Sequence, residues 1–416
     1  MPDIQLFQIQ DAHGIMNDLV SMATGQAANI KAIDTTTFVD AGKTLLAQEK
    51  ENVLQSLSVL IAKTLTTAKP YTAKFKLIYE QNSDIFENKI RKIDIYAREN
   101  DAAGAFNTNL YTNIAEGNDD SDGAESQWKQ HLPITIERYF GNSFAWKKKT
   151  TTLLKQMQQA FTDEASFVAW VNGVMTEVAN DIESTIEARN RMAVLDRIAG
   201  QYAQATDTSN DRIGLETAVN LTTEINNEFG TKYTTEEILQ EHNKEFLEYL
   251  SARIQIDSDR LTERTALYHD PLTKTISGTD YKVLRHTPKS DQKFIYYKPL
   301  FTMAKAKVLP EIFNPQYIAE MNGEGVNFWQ DIKNPTQVKC KPALPDGETS
   351  EVQTLNYVVG MLFSKDALFA NNKFEGAYST PVNAEKLYYN TVYHYLYGIC
   401  NDYSEPAIVY YMADES

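Results

Sequence analysis

"LYYNTVYHYLYGICNDYSEPAIVYY", residues 387–411, carries eight of the chain's 23 tyrosines. Two periods compete within it. Tyr389, Tyr393 and Tyr397 stand at i, i+4 and i+8, the spacing of one helix face. Tyr389, Thr391, Tyr393, Tyr395 and Tyr397 also alternate with Tyr388, Asn390, Val392, His394 and Leu396, as the two faces of a strand do. The alternation predicts a strand. Pro406 then opens a second strand through Ile408 and Tyr410, and the two read as a narrow pair with rings on both faces. Tyrosine suits such a place because its ring buries area while its hydroxyl reaches water. An aromatic ligand pocket and a base-stacking platform are the rival uses.

Charge weighs against base stacking. The chain of 416 residues has 40 Lys and Arg against 56 Asp and Glu, a formal net charge of −16. Dedicated nucleic-acid affinity comes from cations that displace counterions from phosphates. Lys147-Lys148-Lys149 is a short exception and reads as a solvated face. The length accommodates two or three compact units, and no segment approaches the roughly 20 apolar residues that cross a bilayer. MPDIQLFQIQDAHG lacks the basic-then-apolar order of a signal peptide, and two cysteines make no disulfide framework, so synthesis in a reducing cytoplasm is expected.

Upstream, residues 1–37 show scattered apolar anchors such as Phe7 and Ile9 and read as an extended arm. Leu45, Leu46, Val53, Leu57, Leu60 and Ile61 fall at helical spacing over 38–66, and Lys69-Pro70 closes the pattern. Phe75, Leu77 and Tyr79 alternate with lysines, as do Ile93 and Ile95 with polar residues; with Leu132–Ile136 they predict short strands. Between them lies a Gly-, Asn- and Asp-rich span too polar for a core and too long for an ordinary connection, which reads as a long projecting arm.

The strongest helical signal spans 163–204. Phe167, Trp170, Val171, Val174, Met175, Val178, Ile182 and Ile186 form one stripe, with Asp163 and Glu164 at the positive N-terminal end. One helix of roughly 60 Å follows from 1.5 Å per residue. Thr185 and Arg189 at seam positions argue against a coiled coil. Residues 207–374 predict an α/β lobe with a helix from Thr235 to Ile256, opened by Thr-Thr-Glu-Glu, and a strand at Phe294–Tyr297.

No catalytic constellation emerges. Gly42-Lys43-Thr44 has Thr37 where a phosphate loop needs its first glycine, and the run from Asn118 to Gly123 ends at Lys129 where a calcium loop needs glutamate. The six histidines are scattered and neither Cys340 nor Cys400 has a base nearby in sequence. An enzyme, a cofactor and a metal site are therefore not expected.

The order of arm, helix, projecting arm, long helix, α/β lobe and closing strands resembles the major capsid proteins of tailed bacteriophages, the α+β Hong Kong 97 (HK97-like) fold. FVDAGKTLLAQEKENVLQSLSVLIAKTLTTAKPYTAKFK, KIDIYARENDAAGAFNT, FTDEASFVAWVNGVMTEVANDIE and GAYSTPVNAEKLYYNTVYHYLYGICNDYSEPAIVYY are similar to capsid proteins of short-tailed phages of the phi29 group. The resemblance implies an N-terminal arm over 1–37, a peripheral domain from 38–66, 146–206 with its spine helix, and 375–416, an E-loop over 67–145, and an axial domain over 207–374. It implies pentamers and hexamers in a closed icosahedral or prolate shell, a separate scaffolding protein and a portal as partners, and non-specific proximity to packaged double-stranded DNA without a membrane. Phe7, Ile9, Phe106, Leu110, Tyr111, Ile114, Tyr389, Tyr393 and Tyr395 are then candidates for contact between subunits, and Phe167, Val171, Val174, Val178 and Ile182 for the inner stripe of the spine. A soluble module with a tyrosine-lined pocket, or a phage portal or tail protein, is the alternative.

Overall fold

The apolar stripe that begins at Phe167 becomes one uninterrupted helix, α1, over Glu164–Thr206, 43 residues long. The computed structural model describes residues 71–81, 90–96, 134–140, 143–153, 164–207, 214–270, 273–276, 279–282, 284–307, 323–344, 351–383 and 385–414, with single residues 17, 37, 39 and 41. Val39 and Ala41 are helical; the rest of the helix expected over 38–66 lies outside the described residues, as do Phe7, Ile9, Phe106, Leu110, Tyr111 and Ile114.

The strands before α1 are β1 (Tyr79–Gln81), β2 (Ile90–Tyr96), β3 (Ile134–Phe140) and β4 (Ser143–Leu153). After it come β5 (Ala218–Asn220) and the helices α2 (Leu221–Phe229), α3 (Thr235–Gln240) and α4 (Asn243–Arg260). Then follow β6 (Thr273–Ile276), β7 (Thr279–Lys282), β8 (Gln292–Tyr297), α5 (Lys298–Lys307), β9 (Gly323–Val326), β10 (Val338–Cys340) and β11 (Gln353–Leu355). The last four strands are β12 (Tyr357–Ser364), β13 (Leu368–Ser379), β14 (Tyr388–Asn401) and β15 (Ala407–Met412).

Residues 87–141 form one compact unit and the remainder of the chain another. The smaller unit holds the antiparallel pair β2–β3, in register from Ile90 opposite Phe140 to Tyr96 opposite Ile134. Arg138 is paired with the buried Asp94, and Arg91 with Glu137 at 2.6 Å, so two diagonal cross-strand charge pairs lie side by side in the middle of the ladder.

The larger unit has two main sheets. One has four strands in the order β1-β13-β14-β4, and the other five in the order β5-β15-β12-β8-β9. Helix α1 touches both, lying against β13 and β14 of the first and β5 and β15 of the second. Val178, Ile182, Ile186, Val194 and Ile198 are buried along it. Each buried aliphatic side chain withholds an area worth roughly 1.5–3 kcal/mol from water, so this stripe joins the two sheets into one core. β12 is buried almost throughout, as a central strand covered on both faces must be.

Three expectations are corrected. The two closing strands do not pair with each other: β14 lies between β13 and β4, while β15 lies between β5 and β12 in the other sheet. Short sequence separation suggested a hairpin, but the buried turn at 402–406 carries the chain from one sheet to the next. A boundary at 374 therefore cuts through β13, and residues 407–412 belong with the sheet of the lobe. The alternation at Phe75, Leu77 and Tyr79 becomes a strand only from Tyr79, because Lys76–Ile78 forms a 3-10 turn after Phe75 at φ +60. Finally, the helix expected from Thr235 to Ile256 breaks at His242, whose φ and ψ of −108 and 25 leave the helical region. The Asn243 side chain donates to the Leu239 carbonyl and the His242 ring stacks on Tyr233 at 4.0 Å, so the interruption is filled by side chains.

The cap at the start of α3 is as the sequence indicates. Thr234 Oγ1 accepts from the Glu237 amide and the Glu237 carboxylate accepts from the Thr234 amide. Thr234→Ala removes one half of this box, and the expected loss is about 1 kcal/mol, read as a lower denaturant midpoint at unchanged slope. At the other end of α2, Gly230 at φ +63 ends the helix in the left-handed region, where a glycine costs nothing.

Candidate functional site

The tyrosines of β14 sort by face. Tyr389, Thr391, Tyr393 and Tyr397 are buried, with Tyr389 and Tyr397 each at 1% exposure. Their β4 partners on this face are Thr152, Thr150, Lys148 and Phe144 in register. Burial pushes the Tyr389 and Tyr393 hydroxyls above their ordinary range. Tyr389 and Tyr393, expected as contact candidates, are both packed in this chain's own core. Tyr395 is half-buried and stacks on Trp146, with ring centroids 4.5 Å apart. Lys148 belongs to the same face and is paired with Asp181 of α1. Val178 and Ile182 are buried on α1, whereas Phe167, Val171 and Val174 lie on that helix with side chains outside the described residues.

The opposite face of the sheet is turned to solvent. Its rows are Lys147 beside His394, Lys149 beside Val392 and Tyr378, Thr151 beside Asn390, and Leu153 beside Tyr388. Tyr378 is 61% exposed, Leu387 51% and Leu153 42%. The lysine run thus lies on a strand whose alternation sends Lys147 and Lys149 out and Lys148 in.

Two polar clusters on α1 fix how neighbouring segments cross it. The first holds residues 71–78. Tyr71 Oη and the Lys74 amide both donate to Glu187 at 2.9 Å, Asn190 Nδ2 donates to the Phe75 carbonyl at 3.2 Å, and Arg191 donates to Glu187 at 2.6 Å. The Arg191 guanidinium also lies 5.0 Å over the Phe75 ring and 3.9 Å over that of Phe328. These contacts hold Phe75 in a left-handed conformation that a bulky residue otherwise avoids.

Burial raises the Glu187 carboxyl, but the bonds from Lys74, Arg191 and Tyr71 outweigh it and hold the group below its ordinary value of 4.5. A carboxylate depressed on folding stabilises the fold above its unfolded value and loses that contribution as pH falls through the folded one. Melting temperature is therefore expected to fall below pH 4.5, and Glu187→Gln to make that fall shallower. Parallel acid profiles of the two proteins from pH 6 to 3 check this by calorimetry.

The second cluster grips the turn between β14 and β15. Tyr403 Oη donates to the Asp196 carbonyl at 3.0 Å, Asn401 Nδ2 donates to Asp196 Oδ2 at 2.6 Å, and the fully buried Arg197 donates to the Glu405 carbonyl at 2.8 Å. Arg285 pairs with Glu405 at 3.0 Å. Burial pushes the Asp196 carboxyl up and the Arg197 guanidinium down, each partly offset by the other's charge. Gly200, one turn along α1, is where the Tyr403 ring passes. Neither cluster was read from the sequence; the signal available was Gly200 inside a long helical pattern, where glycine costs about 1 kcal/mol and so implies a close approach.

His269 is fully buried between the carbonyls of Thr265 and Asp270, and burial lowers its pKa, a structural role. Among the described residues no three His, Cys, Asp or Glu gather as a metal site, and no helix is long and apolar enough to cross a membrane. The clusters lock elements together, and the outer face of the four-stranded sheet carries exposed side chains, Lys147, Lys149 and Tyr378 among them.

A family model described as Phi29-like phage major capsid protein matches residues 16–411. Among solved structures, the capsid structure of Staphylococcus phage Andhra is similar over 81% of this chain and 83% of that one, at 13% identity and a TM-score of 0.50. The capsid structure of cyanophage P-SCSP1u matches over 83% and 89%, at 12% identity and a TM-score of 0.44. Comparison with curated proteins gives no match.

Proposed function

The chain belongs to the Phi29-like phage major capsid protein family, and from that membership we propose how its parts serve a shell. It is a capsid subunit with an HK97-like α+β fold, and it resides in the virion capsid. Its copies form pentamers and hexamers that close an icosahedral or prolate shell around double-stranded DNA, after synthesis in the host cytoplasm. Helix α1 and the four-stranded sheet serve as the peripheral domain, the five-stranded sheet with α2–α5 as the axial domain, and residues 87–141 as the arm that reaches a neighbour. A separate scaffolding protein and a portal guide closure. The protein works by association, without turnover.

The observation that carries this reading is the family match along nearly the whole chain. Two features of the molecule support it. A single helix tied to both sheets makes a subunit stiff enough to transmit load, and the net charge of −16 keeps a lining from gripping the DNA that must move past it. Negative-stain microscopy of the chain produced with its scaffold is the test. Closed shells are expected; rings or tubes indicate a portal or tail protein, and a persistent monomer that saturates with a small ligand indicates a binding module.

A further inference from the structure

Residues 265–270 form a short loop that holds the crossover between the two sheets at both ends. The Asp270 amide donates to the Tyr403 carbonyl at 2.9 Å, and the Ala407 amide donates to the Tyr268 carbonyl at 3.0 Å. The loop also reaches the entries to β5 and β8. The Glu216 amide donates to the Leu267 carbonyl at 2.8 Å, and Thr265 and Arg285 exchange amide bonds at 2.9 and 3.1 Å. Within this loop His269 is 0% exposed, while Leu267 at its tip is 44% exposed.

Both ring nitrogens of His269 face carbonyls of this same loop, Nδ1 that of Asp270 and Nε2 that of Thr265, each at 3.0 Å. A neutral imidazole carries one N–H, so it donates to one of these carbonyls and turns a lone pair on the other; only the imidazolium donates to both. A charge in that place is costly. The charged groups that face the ring are Arg285, from the segment ahead of β8, and Glu405, from the turn, and they pair with each other at 3.0 Å. Behind them Arg197 of α1 faces Asp196, Asp402 and Glu405. We propose that His269 is a proton-operated latch: its neutral ring closes the 265–270 loop against the crossover, and proton uptake favours the opened loop.

Burial, the largest influence, holds the His269 ring below its ordinary value of 6.5, against the pull of the two carbonyls and Glu405. The opened loop therefore binds a proton that the closed loop does not. Its share grows by up to about tenfold for each pH unit below 6.5, until the buried ring takes the proton itself. Asp196 works in the opposite sense, because burial pushes its carboxyl up and acid then favours the closed form. The latch lies within one copy and does not depend on assembly.

Two measurements on the full chain between pH 7.5 and 5.5 test the latch, a window above the range of ordinary carboxylates. Deuterium exchange at the ring Cε1–H, resolved for each histidine by mass spectrometry, is expected to titrate His269 below 6.5. Backbone amide exchange, corrected for its intrinsic rate, is expected to quicken at Asp270, Tyr403 and Ala407 by up to about tenfold per pH unit. His269→Gln keeps a donor and an acceptor but does not titrate, and it is expected to flatten that rise while Asp196 stays in place. A His269 ring that titrates at or above 6.5 overturns the proposal, and this result needs no variant that might misfold. Exchange at the three amides that does not change with pH also overturns it. So does a rise of equal size in His269→Gln, which assigns the response to another group.

Discussion

Gly200→Val is expected to leave the chain unable to fold. A Cβ at position 200 would lie 2.1 Å from Tyr403 Oη and 2.4 Å from the ring's Cε1, separations that real atoms do not show. The ring cannot step aside cheaply. Its hydroxyl is held by the Asp196 carbonyl and by Asn401, the Arg197 guanidinium lies 4.7 Å over its face, and the flanking residues 402 and 404–406 are all buried. Forcing one extra methyl into a packed site costs about 1–3 kcal/mol, and a branched side chain that also breaks the hydroxyl's bonds adds about 1 kcal/mol for each. Against a total stability of roughly 5–15 kcal/mol the sum is disabling. Gly200→Ala should fold with a clearly lowered midpoint, and combining it with Tyr403→Ala should relieve the clash without restoring the network. A Gly200→Val chain with a wild-type denaturation midpoint would show that Tyr403 does not pass there.

What made α1 legible was length. Its apolar residues recur over five turns from Phe167 to Ile186, and no other pattern of that period fits them. β14 was legible for the same reason, since its alternation over 388–397 appears as alternating burial. Pairing was not legible, because a strand's sequence states which face is buried and says nothing of which strand lies beside it. Hence β15 was assigned to β14 by proximity in the chain, while its actual neighbours β5 and β12 lie far away in sequence. The clusters around Glu187 and Arg197 join α1 to residues 71–75 and 401–405, and such polar contacts leave no periodic trace. The β14 tyrosines were rightly placed on a strand, but the alternation could not say whether α1 or a neighbouring subunit covers their face.

Replacing residues 102–124 by a short Gly-Ser linker should separate folding from assembly. The hairpin that carries the segment is independently closed. β2 and β3 pair over seven residues each, with Arg91–Glu137 and Asp94–Arg138 crossing between them, so the strands keep their register when the connection shortens. Loop-closure entropy changes slowly with length, about 0.6 kcal/mol per halving, and the shorter link favours the folded state. The deleted stretch is polar and acidic, with Asp119, Asp120 and Asp122 in a run, and contributes little to a core. It also contains Phe106, Leu110, Tyr111 and Ile114, apolar groups spaced along a polar segment as a partner's surface would capture them. The variant should therefore match wild type in circular dichroism and melting cooperativity, yet yield no closed shells under conditions where wild type with its scaffold assembles. Shells at wild-type yield would remove the segment from the assembly contact altogether. Loss of the folded subunit would mean instead that residues 102–124 complete a core within their own chain, and the apolar groups would then be reassigned from a neighbour to that core.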